Sequence, residues 1–256
     1  MRIDILTLFP DTVGDVLSES ILGRAQERGY IAIGTHQIRD YTVNKQNQVD
    51  DYPYGGGRGA VMQADPLYRC WEAVKGEREV HTIYMSPCGK TFRQEDAIRL
   101  SKMENLILVC GHYEGIDQRF IDECVDEEIS LGDFVLTGGE IAAMAVTDAV
   151  CRMVPGVLAD PECFEDESHY SGMLEYPQYS RPAVWHGREV PAILLSGNHE
   201  KVRQWRRKQA LRRTRERRPD MYEKLDLSSK QDKKLLKEME QEDRENEFEA
   251  PSDHIG

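Results

Sequence analysis

Long apolar runs, paired cysteines and the common nucleotide-binding glycine signatures are all missing from this 256-residue chain. Hydrophobic residues make up 39% of it, and no run approaches the ~18 to 20 consecutive apolar residues that span a bilayer. The first ten residues, MRIDILTLFP, break their apolar content at Asp4 and Thr7 and lack a small-residue cleavage site. They read as a buried β-strand, not as a signal peptide. The six cysteines, Cys70, Cys88, Cys110, Cys124, Cys151 and Cys163, form no C-x-x-C pair and no Cys/His cluster. Neither a zinc site nor a disulfide framework is indicated, and reduced thiols in the cytoplasm are expected. No Lys-Ser/Thr follows a P-loop spacing and no G-x-G-x-x-G opens a helix after a strand, so neither an ATPase nor a nicotinamide enzyme is indicated.

Positive charge is also in short supply: 33 Lys and Arg stand against 46 Asp and Glu, a net charge of −13. The shortage is uneven. Between Lys201 and Arg218 lie ten basic residues and one Glu, which leaves 23 basic and 45 acidic residues elsewhere. The chain is an acidic body with one basic stripe, and such a stripe calls for an anionic partner. From Asp220 to Gly256 the balance reverses to 12 acidic and 6 basic residues, a composition expected to be disordered in its distal part and able to shield the stripe.

What is present is α/β alternation. Ile3 to Phe9, Thr82 to Met85 and Leu106 to Cys110 read as strands, the last two as interior strands of a largely parallel sheet. Asp15 to Arg28 and Arg93 to Lys102 read as helices between them. Gly138 to Met153 is predicted helical, with Ile141, Ala142, Ala145, Val146, Ala149 and Val150 on a broad core face and Pro155-Gly156 as its stop. Ala159 to Arg181 is polar and aperiodic, a linker or a functional loop. Val190 to Leu195 is strand-like, and His199 to Arg218 carries the basic stripe as a helix, with Trp205 and Leu211 expected to pack inward.

Glycines concentrate at strand ends. The run Asp50 to Gly59, DDYPYGGGRG, lets the backbone approach a ligand or take positive φ. Three further loops, YMSPCG at 84–89, CGHYEGID at 110–117 and SLGDFVLTGGE at 130–140, follow or end strands. Each alone is compatible with an ordinary turn. Together, at the carboxyl ends of parallel strands, they suit a pocket for a small molecule with polar and apolar parts.

The runs DYPYGGGRG, YMSPCGK, VCGHYEGIDQR, SLGDFVLTGGE, RMVPGVL and LEYPQYSRP, in this order and spacing, resemble the bacterial tRNA (guanine-N1)-methyltransferase family, from Met1 to about Pro219. The resemblance implies a SPOUT-class fold: a parallel α/β sheet ending in a trefoil knot over residues 1–159, then a flexible interdomain catalytic loop at 160–175. A small, mostly helical tRNA-binding domain would occupy 176–225, followed by an acidic, disordered tail at 226–256. It also implies a homodimer with active sites at the interface, tRNA as partner, S-adenosylmethionine as cofactor and a magnesium requirement without a recognisable protein site. The cofactor would lie against Tyr84, Ser86 and Pro87, against Gly111, Tyr113 and Glu114, and against the run Leu131, Gly132, Asp133, Phe134, Val135 and Leu136. Gly138 and Gly139 would complete the wall.

Methylation of guanine N1 requires loss of the proton that this nitrogen carries, and a cation near O6 stabilises the charge that develops. By the resemblance Arg152 is that cation. The general base is placed at Glu167, where the family has an aspartate before a serine, with Asp166 as its competitor. Asp50 and Gly59 would meet the target nucleotide or its loop, and Arg203, Arg206 and Arg207 the RNA backbone. The implied activity is methylation of N1 of the guanine at tRNA position 37. A ribose 2′-O-methyltransferase of the same class and a non-catalytic RNA-binding protein of this fold stand as alternatives. If the stripe carries the RNA, tRNA affinity should fall steeply with added salt while S-adenosylmethionine affinity does not, as filter binding and calorimetry would show.

Overall fold

The computed structural model describes residues 1–158 and 167–249, and the chain divides into two compact units, 1–161 and 162–256. The first unit runs β1 (Arg2–Thr7), α1 (Pro10–Leu17), α2 (Ser20–Glu27), β2 (Ala32–Gln37), β3 (Asp50–Asp51), β4 (Val61–Met62), α3 (Ala64–Lys75), β5 (His81–Thr91), α4 (Gln94–Leu100), β6 (Asn105–Cys110), α5 (Gln118–Cys124), β7 (Glu127–Ser130) and α6 (Glu140–Cys151). Five of the strands form one parallel sheet in the order β2-β1-β6-β5-β7, and β3 pairs antiparallel with β4. The α/β architecture with a central parallel sheet is as the alternation implies.

Strand alternation explains why the interior runs are apolar throughout. Ile3 and Ile5 of β1, with Leu106 and Leu108 of β6, join one buried cluster with Val13, Ala97 and Val146 from helices. Leu6, Ile107 and Val109 point to the other face, against Leu67 of α3 and Phe120 of α5. Helices cover both faces, so both side-chain sets are buried. Asp4 is the buried charge in β1, bonded by Arg2 and His36 at 2.7 Å and by Arg78 at 3.1 Å. Burial acts to raise its pKa, yet these donors prevail and hold the carboxyl far below the usual carboxylate range.

Several predicted elements are redrawn. The single helix expected over 15–28 is two helices, because the chain turns at Ser18 to Ser20; the Ser18 carbonyl fills the space where a Cβ on Gly23 would stand. In α6 the buried stripe is Ala142, Ala143, Val146, Thr147, Val150 and Cys151, whereas Ile141 and Ala145, expected in the core, are exposed. The apolar content of this helix exceeds one face.

The second unit holds β8 (Val184–Trp185) and β9 (Arg188–Glu189), a two-stranded hairpin, then α7 (His199–Arg217), α8 (Pro219–Tyr222) and α9 (Lys230–Glu249). The strand expected at 190–195 is instead a 3₁₀ turn, Ala192–Leu195. Pro191 has no N–H for a ladder, and its carbonyl accepts the Leu194 N–H at 2.9 Å. Asn198 caps α7 by accepting the Lys201 N–H at 3.1 Å. Leu211 is buried as expected, but Trp205 is only partly covered.

The largest correction concerns the tail, where 230–249 is helix and not disordered chain. Leu235 and Met239 of α9 bury against Ala210 and Leu211 of α7 and against Met173, a residue expected in the interdomain loop. Carboxylates on α9 meet cations on α7: Asp232 with Arg207 at 3.0 Å, Glu242 with Lys208 at 2.6 Å and Arg212 at 2.8 Å, and Asp243 with Arg215 at 2.7 Å. Partly exposed pairs contribute ~0–1 kcal/mol each, whereas each buried Leu or Met contributes about 1.5–3. Apolar contact therefore holds α9 in place and the ion pairs set its register. Composition alone hid this, because the apolar residues that recur at i and i+4 are diluted by charge on the remaining faces. Leu235→Ala is expected to lower the stability of this unit by about 2–5 kcal/mol, read by urea unfolding with circular dichroism.

Candidate functional site

At the carboxyl ends of β5, β6 and β7 the three glycine-bearing segments close around a cavity of about 440 Å³. This volume falls within the roughly 300–1,000 Å³ typical of small-molecule sites. Of the fourteen residues expected around a cofactor, twelve line it. Tyr84, Ser86 and Pro87 come from β5, and Gly111, Tyr113 and Glu114 from the loop after β6. Leu131, Phe134, Val135 and Leu136, then Gly138 and Gly139, come from the loop between β7 and α6. Gly132 and Asp133 belong to that loop without lining the cavity; Gly132, at φ 153°, exchanges hydrogen bonds with the Ser130 hydroxyl.

Two glycines make the enclosure possible. A Cβ on Gly139 would stand 2.8 Å from the Cys110 Cα, while its N–H donates to the Gly111 carbonyl at 3.0 Å. A Cβ on Gly111 would stand 2.8 Å from the Tyr84 hydroxyl oxygen. Backbone thus lies against backbone, leaving main-chain groups at the cavity wall for a ligand with hydrogen-bonding edges. Burial pushes the Tyr84 phenol up to about 12, so it stays protonated. Phe134 and Val135 are exposed apolar residues at this wall, suited to cover a flat ring. A small molecule with a flat ring and hydrogen-bonding edges suits this combination of glycine cradle, apolar cover and polar groups.

One network beside the cavity has no counterpart in the predicted site. Glu140, the first residue of α6, is buried and accepts from the Thr7 hydroxyl at 2.6 Å, and its other oxygen lies 2.8 Å from Nε2 of His112. His112 itself lines the cavity and packs against Gly138, where a Cβ would stand 2.4 Å from the ring. Its place inside the VCGHYEGIDQR run was the available signal. The network ties β1, the loop after β6 and the start of α6 together.

The remaining predicted residues are spread over both units. Arg152 is the C-cap of α6. Glu167 is the first described residue of the second unit, and Asp166 lies outside the described residues. Asp50 sits in β3 opposite Met62. Gly59, at φ 83°, is pressed against Glu114, whose carboxylate oxygen a Cβ would meet at 2.5 Å. The glycine-rich loop is therefore fastened to the cavity, and the Glu114 N–H donates to the Ala60 carbonyl at 3.0 Å. On α7, Arg203 and Arg206 are exposed, while Arg207 is engaged by Asp232. Burial raises the Asp232 pKa, but hydrogen bonds from Arg207 and Ser229 outweigh it and hold the carboxyl below its ordinary value. Among the described residues no group of three or more His, Cys, Asp or Glu is placed to hold a metal ion, and no helix is long and apolar enough to cross a membrane.

The chain matches the family model described as tRNA (Guanine-1)-methyltransferase TrmD over residues 1–224. It is 58% identical over 237 residues to the tRNA (guanine-N(1)-)-methyltransferase of Clostridium perfringens (strain ATCC 13124), covering 93% of this chain and 99% of the relative. To the protein of that description from Clostridium acetobutylicum it is 52% identical over 240 residues, 94% of this chain and 98% of the relative. A third, from Ruminiclostridium cellulolyticum, is 52% identical over 227 residues, 88% and 97% of the two chains.

Removing His112 would leave one oxygen of a buried carboxylate unpaired. His112→Ala is expected to destabilise the first unit by about 1–3 kcal/mol in urea unfolding, more than Tyr113→Ala on the exposed side of the same loop.

Proposed function

This chain belongs to the tRNA (guanine-1)-methyltransferase family, and from that premise we propose that it methylates N1 of the guanine at position 37 of tRNA with S-adenosylmethionine as donor, in the cytoplasm. The observation that carries the reading is the gathering of twelve expected pocket residues around one cavity at the strand ends. When bound there, S-adenosylmethionine supplies an electrophilic methyl group on a sulfonium. The chain's own residues do the rest. Main-chain groups at Gly111, Leu131 and 134–136 hold the polar edges, and the glycines at 138 and 139 admit close approach. The knot implied by the SPOUT resemblance is part of this proposal.

Guanine N1 becomes a nucleophile once its proton is taken by a carboxylate, and we assign that task to Glu167, with Asp166 as the competing group. Glutamate is one methylene longer than the aspartate expected here, so its oxygens reach further from the backbone. Arg152, fixed at the end of a helix, is assigned to the charge that grows on O6. A homodimer is part of the same reading. It is supported by α1 and α6, which pack together and leave Phe9, Val16 and Ile141 exposed. The magnesium implied by the resemblance has no cluster of ligands among the described residues.

The test is a mass-spectrometric map of methylated positions after incubation of the purified protein with unmodified tRNA and labelled S-adenosylmethionine. Label on a ribose, or none on any guanine, overturns the assignment. Chelation with EDTA in this assay reads the metal dependence. Glu167→Ala should lower single-turnover methyl transfer by 10²-fold or more, on the order expected for loss of a general base, while S-adenosylmethionine still binds. Near-normal turnover moves the role to Asp166. Arg152→Ala should also depress the chemical step, and an unchanged single-turnover rate removes it from the mechanism.

A further inference from the structure

The second unit contains a cavity of about 840 Å³ that no part of the proposed chemistry uses. Its floor and walls come from the LEYPQYSRP segment, the turn at 192–195 and the first half of α7. Three aromatic side chains, Tyr176, Tyr179 and Trp205, share it with Leu194, Val190 and Val202. The rings of Tyr179 and Trp205 stand 6.3 Å apart at 52°, and Tyr179 is half exposed. The guanidinium of Arg206 lies 4.8 Å from the centre of the Tyr176 ring. Arg181 and Arg206 contribute to the wall, and no Asp or Glu does.

Charge settles the kind of occupant. The body of this chain is rich in carboxylates, and α9 engages Arg207, Lys208, Arg212 and Arg215 along one flank of α7. Arg206 lies on the flank that carries Val202 and borders the cavity, with exposed Arg203 one turn before it. A cavity with cations but no anions on its wall, and with the half-exposed ring of Tyr179 beside Trp205, suits a base with a flanking phosphate. Bases stack on aromatic side chains and on arginine planes, and phosphates pair with arginine.

We propose that this groove is an RNA subsite: an unpaired base of the substrate stacks against Tyr179 and Trp205, with its adjoining phosphate on Arg206. The proposal rests on the reading of the chain as a tRNA methyltransferase and adds a contact made by the second unit. Tyr179 and Trp205 act as positioning residues, since they touch the RNA outside the site of methyl transfer. The groove's contribution is then to how tightly tRNA is held, leaving the methyl-donor cavity in the first unit unchanged.

The experiment uses the full-length protein and an unmodified tRNA transcript. Ultraviolet cross-linking of the wild type followed by peptide mapping should place an adduct on Tyr179 or Trp205. Tyr179→Ala should weaken tRNA binding and raise KM for tRNA about tenfold, the scale of one lost base–aromatic stack, with S-adenosylmethionine affinity unchanged. Tyr179→Phe, which keeps the ring, should restore binding. Tyr179→Ala should leave the salt dependence of binding as it is, whereas Arg206→Gln should reduce its slope by about one. Wild-type-like tRNA affinity in a folded Tyr179→Ala protein that still methylates tRNA, with cross-links confined to other residues, overturns the groove and leaves the enzyme assignment standing. A changed sedimentation coefficient in Tyr179→Ala with unaltered RNA binding makes the groove a contact between copies of the chain and overturns the proposal. A wild type that neither binds nor methylates the transcript removes the enzymatic reading itself.

Discussion

The cavity of the first unit depends on main chain lying against main chain where α6 begins. Gly139 is the point of closest approach, with no room for a Cβ beside Cys110 and with its N–H bonded to the Gly111 carbonyl. Because the helix starts at that contact, its first side chain, Glu140, is delivered to Thr7 at the end of β1 and to His112 after β6. Two strand ends and a helix start are thereby fixed to one buried carboxylate. The segment between Leu131 and Gly138 is spanned across this frame, which confines it although it has no regular structure. Rigid support of this kind is what a site made largely of backbone requires, since no side chain can adjust to correct a misplaced peptide group.

Charge in the second unit is organised by helix face. The ten cations between Lys201 and Arg218 look uniform in sequence, yet α9 divides them. Those opposite Asp232, Glu242 and Asp243 are held at ion-pair distance, and burial of Leu211 against Leu235 and Met239 holds the two helices together. Burial tends to raise the Glu242 pKa, but Lys208 and Arg212 overcome it and hold the carboxyl below its ordinary value. A group depressed in the folded state contributes stability above its unfolded pKa, and that contribution disappears as pH falls through the folded value. The pairing is therefore complete at neutral pH and weakens only in acid. At neutral pH the acidic helix therefore restricts which cations of the stripe are open to an anionic partner, while Arg203 and Arg218 pair with Glu200 and Asp220.

Much of this was legible in the residues. Alternating apolar strands announced a parallel sheet, and the glycine-bearing loops, read with the family resemblance, located the cavity wall with only Gly132 and Asp133 set back from it. Helix breaks and pairings were harder. The helix formers in ESILGRAQ conceal the break, because the contact of Gly23 with the Ser18 carbonyl arises only once the chain turns at Ser18 to Ser20. The helix at 230–249 was hidden by averaging: Leu235 and Met239 are two apolar residues in a charged stretch, and only the partner face on α7 gives them burial. Glu140 was hidden differently, since its role arises from Thr7, 133 residues away in sequence.

The two units meet different physical demands, and their sequences show it. A cavity built from strand ends needs small residues at fixed points, and at Gly111, Gly138 and Gly139 a Cβ would collide with its neighbours. In the second unit α7 can be largely polar because a narrow stripe, Ala210, Leu211 and Thr214, is what it buries. The net charge of −13 combines these separate designs into one figure. It describes the whole chain, whereas the cations left open are set within one helix, by which of them another helix has already taken.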